Sequence, residues 1–87
     1  MNYHEQLIEL LLQQPTYISD KVGMSNFKLK RGPSLGSFGD IDLIGEGSLG
    51  QVIVEVKSHS GLISHYLRIQ LPKYIEQYPK ATQEIIS

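Results

Sequence analysis

The 87-residue chain contains no cysteine and no tryptophan, carries almost balanced charge, and has no apolar run near the ~20 residues of a membrane-spanning helix. Each absence closes a class of reading. Without cysteine there is no disulfide framework, no thiolate zinc site and no thiol nucleophile. A net charge of −1 is not that of a basic protein coating nucleic acid. The apolar residues from Leu7 to Leu12 are interrupted by Glu9 and lack a basic flank, so they do not read as a secretory leader. What remains is expected to be a cytoplasmic or nucleoid-associated domain over residues 1–87 that does not touch a membrane. Its 40% apolar content is enough for one modest core.

The informative stretch runs from Gly39 to Lys57. Asp40-Ile41-Asp42-Leu43-Ile44 and Gln51-Val52-Ile53-Val54-Glu55-Val56-Lys57 are short, rich in β-branched residues and separated by Gly45, Gly47 and Gly50. That pattern predicts a β-hairpin with the glycines in its turn. A turn centred on Ser48 and Leu49 sets Asp42 across from Glu55 and Asp40 across from Lys57. Alternation then puts these four on one face, and Ile41, Leu43, Val52, Val54 and Val56 on the other, so that one face is core and the other charged. Two carboxylates opposed across a strand pair repel one another, and a divalent cation turns that repulsion into attraction. Mg²⁺, which takes oxygen ligands and keeps several waters, suits one or two carboxylates plus a substrate phosphate. Lys57 would lie beside it.

On either side the periodicity changes. His4 to Gln14 is helical, with apolar residues at 7, 8, 11 and 12, and is bounded by Pro15. Arg68 to Tyr78 predicts a second helix that begins near Leu71, because Pro72 is tolerated only in a first turn. Asn26 to Arg31 reads as an edge strand. Its Lys28, Lys30 and Arg31 either guard the edge or bind phosphates. Tyr66, Tyr74 and Tyr78 fall at helical spacing and favour the core over base stacking. His4, His59 and His65 match no zinc spacing and are expected on the surface or in loops.

Asp42, twelve intervening residues and then Glu55-Val56-Lys57 resemble the D-x(n)-E-x-K signature of the PD-(D/E)xK, or restriction-endonuclease-like, nuclease superfamily. The spacing is similar to that of Holliday-junction resolvases. Gly39-Asp40-Ile41-Asp42 resembles a variant of the first motif, although the proline that names the superfamily is absent. Gln70-Leu71-Pro72-Lys73-Tyr74 is similar to the Q-x-x-x-Y motif of the RecB-like branch. The resemblance implies an α/β (α+β) fold with an α-β-β-β-α core and a mixed or antiparallel sheet. A fourth strand normally follows beside the third, and here Gln83 to Ser87 is barely long enough to begin it, so that strand is expected to be missing or supplied by a partner. An exposed edge on the third strand would then favour a homodimer or a larger complex.

The same resemblance implies Asp42, Glu55 and the Val56 carbonyl as ligands of Mg²⁺ or Mn²⁺, and Lys57 as the residue that positions the attacking water. It implies a further glutamate from the first helix, Glu5 before Glu9, because Glu5 borders the apolar stripe. Asp40, Gln70 and Tyr74 are expected to support the site. The expected function is hydrolysis of DNA phosphodiester bonds. The alternative is an inactive nuclease-fold module that binds DNA or takes part in assembly.

Overall fold

The computed structural model describes residues 2–36, 39–57 and 65–86. Helix α1 spans Tyr3–Gln13 and α2 spans Thr16–Val22. The Asn2 side chain caps α1 by accepting the Glu5 N–H at 2.8 Å. Pro15 ends α1, since the residue before a proline avoids helical geometry and Gln14 adopts φ −131°, ψ 65°. Strand β1 is Lys28–Arg31, β2 is Leu43–Gly47 and β3 is Gly50–Val56. A π-helical turn, Tyr66–Gln70, leads into α3, Leu71–Gln77, with Pro72 in the first turn of α3 as expected. Strand β4 is Thr82–Ile86.

The result is a small α+β domain with a four-stranded mixed sheet in the order β1-β2-β3-β4. β1, β2 and β3 are antiparallel neighbours, and β4 runs parallel to β3. The fourth strand is therefore present, contrary to the sequence expectation. The five residues Thr82–Ile86 suffice because strands of about five residues are ordinary, and Ile86 anchors them in the core. The β3 edge is covered, which removes it as a reason for self-association. The outer strands are β1 and β4.

Helices cover both faces. On one, Leu43, Val52, Val54 and Val56 pack beneath Ile8 and Leu11 of α1 and Ile18 of α2. On the other, Ile44 and Ile53 pack with Ile41, Tyr66 and Tyr74. The expectation of one apolar and one charged face is thus corrected. The carboxylates sit at one end of a sheet buried on both sides, not on an open face. Tyr66 and Tyr74 are core residues with no exposed surface.

The hairpin register is as expected, with Leu43 opposite Val54 and Gly47 opposite Gly50 across Ser48 and Leu49. Gly45 and Gly47 belong to β2 rather than to the turn. Beyond Leu43 the chain leaves β3. The Gly32 N–H donates to the Asp42 carbonyl and the Ile41 N–H to the Pro33 carbonyl, so two successive residue pairs are bonded where a regular antiparallel ladder bonds alternate ones. This kink turns Ile41 away from Leu43, into the Ile44–Ile53 cluster, and corrects its expected face. Asp40 lies opposite Ser34 in the same β1–β2 register, and the β2–β3 ladder ends at Leu43 and Val54, short of Lys57. The Lys57 N–H pairs instead with the Ile86 carbonyl on β4.

Candidate metal centre

The ends of β2 and β3 bring Asp42, Glu55 and Lys57 together. The Asp42 N–H donates to Glu55 Oε1 at 3.3 Å. Asp42 Oδ2 accepts the Val56 N–H at 2.8 Å and lies 3.3 Å from His4 Nε2. Glu55 has no exposed surface, and its Oε2 lies 2.9 Å from Lys57 Nζ in an ion pair. The Lys57 ammonium is thus the partner of that buried oxygen. Burial first, and the neighbouring Asp42 charge second, push the Glu55 carboxyl up to about 7, despite Lys57 and the Asp42 N–H, which favour its ionised form.

The C-terminal helical segment closes over this end of the sheet. Lys57 Nζ donates to Gln70 Oε1 at 3.3 Å and sits 5.4 Å from the centre of the Tyr66 ring. The Tyr66 hydroxyl donates to Gln83 Oε1, and the Tyr74 hydroxyl to the Asp40 carbonyl, both at 2.8 Å. Burial, with the Glu55 and Asp42 charges behind it, pushes both tyrosine hydroxyls up. Gln70 also fixes Gly39. The backbone there has φ 94°, and a Cβ would lie 2.3 Å from Gln70 Nε2. Gln70 and Tyr74, paired in the sequence by spacing alone, thus hold the two limbs of the site, Lys57 and Asp40.

Other expected residues lie nearby with different partners. Glu5 lines a cleft of about 320 Å³ with His4, Asp40 and Asp42. Its carboxylate, like that of Glu9, pairs with Arg31 Nη2. Arg31 therefore faces α1, whereas Lys28 and Lys30, on alternate residues of β1, face the other side. His65 is exposed at the start of the π turn, and His59 lies outside the described residues.

Sequence reasoning missed His4 and Tyr66 as site residues. The signal for His4 was present: with Ile8 and Leu11 it forms an i, i+4, i+7 stripe, and those two are the buried residues of α1. The apolar positions 7, 8, 11 and 12 taken together point to Glu5 at the stripe's border instead. Tyr66 gave no local signal, because its contact with Lys57 crosses from the π turn to the end of β3.

A cation fits this chemistry in part. Two carboxylates crowd one place, and the Asp42 charge disfavours ionisation of the buried Glu55. Among the described residues, no three His, Asp or Glu side chains form a ready-made cage. Asp42 and Glu55 are the carboxylates here that could take part in holding a hard cation, which takes oxygen ligands. No protein-family model matches this chain, and no curated protein or solved structure matches it either.

Proposed function

We propose that this domain is a Mg²⁺- or Mn²⁺-dependent nuclease of the PD-(D/E)xK type that hydrolyses DNA phosphodiester bonds. One observation carries the reading. Glu55, a wholly buried glutamate, is held between Asp42 and Lys57, the other two residues of the D-x(n)-E-x-K pattern. Burying a carboxylate beside another lowers stability, and groups perturbed in this way cluster at functional sites. Two features of the fold support the same reading: a fourth strand beside the third, and a helix whose Gln70 and Tyr74 reach the site.

In this reading Asp42 and Glu55 would hold the ion. The Val56 carbonyl would be a third donor, since in an extended strand it points to the same side as the Val56 N–H that bonds Asp42. His4, 3.3 Å from Asp42 Oδ2, would orient that carboxylate. The ion would supply Lewis-acid stabilisation of charge on a phosphoryl oxygen. Lys57, steadied by Gln70 and the Tyr66 ring, presents its ammonium to the attacking water and to developing negative charge. Asp40 supports through its backbone, as the acceptor for Tyr74. The setting implied is cytoplasmic or nucleoid-associated. Among the described residues, no helix is long and apolar enough to cross a membrane.

The test is cleavage of labelled linear duplex, four-way junction and single-stranded DNA with Mg²⁺ or Mn²⁺. Glu55→Ala and Lys57→Ala should abolish product while circular dichroism stays native, and Asp40→Ala should lose less than Asp42→Ala. Full cleavage by either of the first two variants would remove the assigned roles. A second reading, an inactive nuclease-fold binding or assembly module, is favoured by one feature. Lys57 and His4 already engage the two carboxylates. No cleavage by folded protein with either metal would select it.

A further inference from the structure

Hydrogen bonds from the C-terminal helical segment reach three places on the sheet. Gln70 Oε1 accepts Lys57 Nζ just beyond β3, the Tyr74 hydroxyl donates to the Asp40 carbonyl ahead of β2, and the Tyr66 hydroxyl donates to Gln83 Oε1 on β4. The first two end on limbs of the candidate centre, and the third lies one strand further out. The parallel register sets Gln83 beside Ile53, on the sheet face that Tyr66 and Tyr74 cover. Among the described residues its buried Nε2 has no hydrogen-bond partner, so the Tyr66 hydroxyl is the group that this amide engages. We propose that Gln83 is a positioning residue: by holding the Tyr66 hydroxyl it fixes the ring beside the Lys57 ammonium and so sets where that ammonium stands.

What Lys57 does there rests on the nuclease reading; what holds it rests on geometry. Tyr66 has no exposed surface, and its ring meets that of Tyr74 with centroids 5.8 Å apart and planes inclined at 57°. Apolar packing of this kind is non-directional. The hydrogen bond to Gln83, at 2.8 Å, is directional and ties the ring to β4. Burial pushes the Tyr66 hydroxyl up, so it stays protonated and donates. Lys57 Nζ stands 5.4 Å from the ring centre, within the ~6 Å reach of a cation–π attraction. Tyr66 also opens the π turn that ends at Gln70, and the Leu71 N–H closes that turn on the Tyr66 carbonyl. A shift of Tyr66 therefore carries Gln70 with it, and both uncharged contacts of Lys57 move together. Glu55 still attracts the ammonium. A lysine is a compact charge on a flexible stem, so that ion pair fixes a distance and leaves the direction to the ring and Gln70.

The experiment is a double-variant cycle of Gln83→Met, which keeps the length without the amide, and Tyr66→Phe, which keeps the ring without the hydroxyl. One readout is the NMR shift of the Lys57 Cε protons in metal-free protein, assigned by their loss in Lys57→Ala. The other is the kinetics of cleavage, with Mg²⁺, of whichever labelled DNA the wild type cuts. The Tyr66 ring current should displace the wild-type Lys57 signals from those of exposed lysines, and each single variant should move them back toward that position. Each should also lower kcat about tenfold and change KM by less than about twofold, because Gln83 acts through Tyr66 and not on substrate, and a misplacement of about 1 Å can cost about a hundredfold. The double variant should lose no more than the larger single loss, since both changes break one bond. It removes donor and acceptor together and so keeps its stability, which makes it decisive if either single variant unfolds. Unmoved Lys57 signals in Gln83→Met, or single losses that multiply in the double variant, would overturn the positioning role. A wild type that cuts nothing but shows these shifts keeps Gln83 as the residue that places Lys57 and removes the nuclease. Cleavage with unmoved Lys57 signals in Gln83→Met does the reverse.

Discussion

Glu55→Gln isolates the electrostatic cost of the candidate centre. The Glu55 carboxyl is held at about 7 in the folded chain against an ordinary 4.5. The folded state therefore binds this proton more tightly than the unfolded state does. The contribution is fully present below pH about 4.5 and is lost as pH rises through about 7. A displacement of about 2.5 pH units at 1.36 kcal/mol per unit corresponds to about 3 kcal/mol, a large share of the stability of a small domain. The titration belongs to the Asp42–Glu55 pair, so the observable is the pH slope rather than either group alone. Urea unfolding followed by circular dichroism in metal-free buffer, from pH 5 to pH 8, should show the wild type losing about this amount. Glu55→Gln, with no proton to release, should lose much less. Millimolar Mg²⁺ at the upper pH should raise the wild-type midpoint and leave that of the variant unmoved, since an ion that binds only the folded site stabilises it by mass action. Parallel pH profiles for the two proteins would refute the reasoning.

Two further perturbations test other parts of the structure. Glu9→Gln removes one of the two carboxylates on Arg31; it should change stability by less than about 1 kcal/mol, as for an exposed pair. A larger fall in the urea midpoint would mean that Glu9 and Arg31 hold α1 against β1 more strongly than an exposed pair does. Gly45→Ala places a Cβ 2.2 Å from the tip of the Phe27 ring, an overpacking that should lower stability by about 1–3 kcal/mol. A thermal melt should fall by at least about 5 °C; no change would mean that Phe27 moves aside freely.

How much was legible in the sequence varies by element. The hairpin register was, because a two-residue turn and strict alternation leave only one pairing that buries Leu43, Val52 and Val54 together. The first helix and the start of α3 at Leu71 were also legible, from period and proline chemistry. Strand β4 was not. Gln83-Glu84-Ile85-Ile86 carries weak local preference and becomes a strand by lying along β3, so its state is set by a partner distant in sequence.

The residues of the candidate centre were fixed by sequence to the extent that chemistry is local. Asp42, Glu55 and Lys57 follow from residue type, spacing and register, which backbone geometry converts directly into proximity. Tertiary structure alone decided what surrounds them. It ended the β2–β3 ladder at Leu43 and Val54, short of Asp40 and Lys57, covered both sheet faces so that Glu55 became wholly buried, and brought His4, Gln70 and Tyr66 in from helices. Burial and cross-element contact depend on how layers pack, and no window of local sequence contains that information.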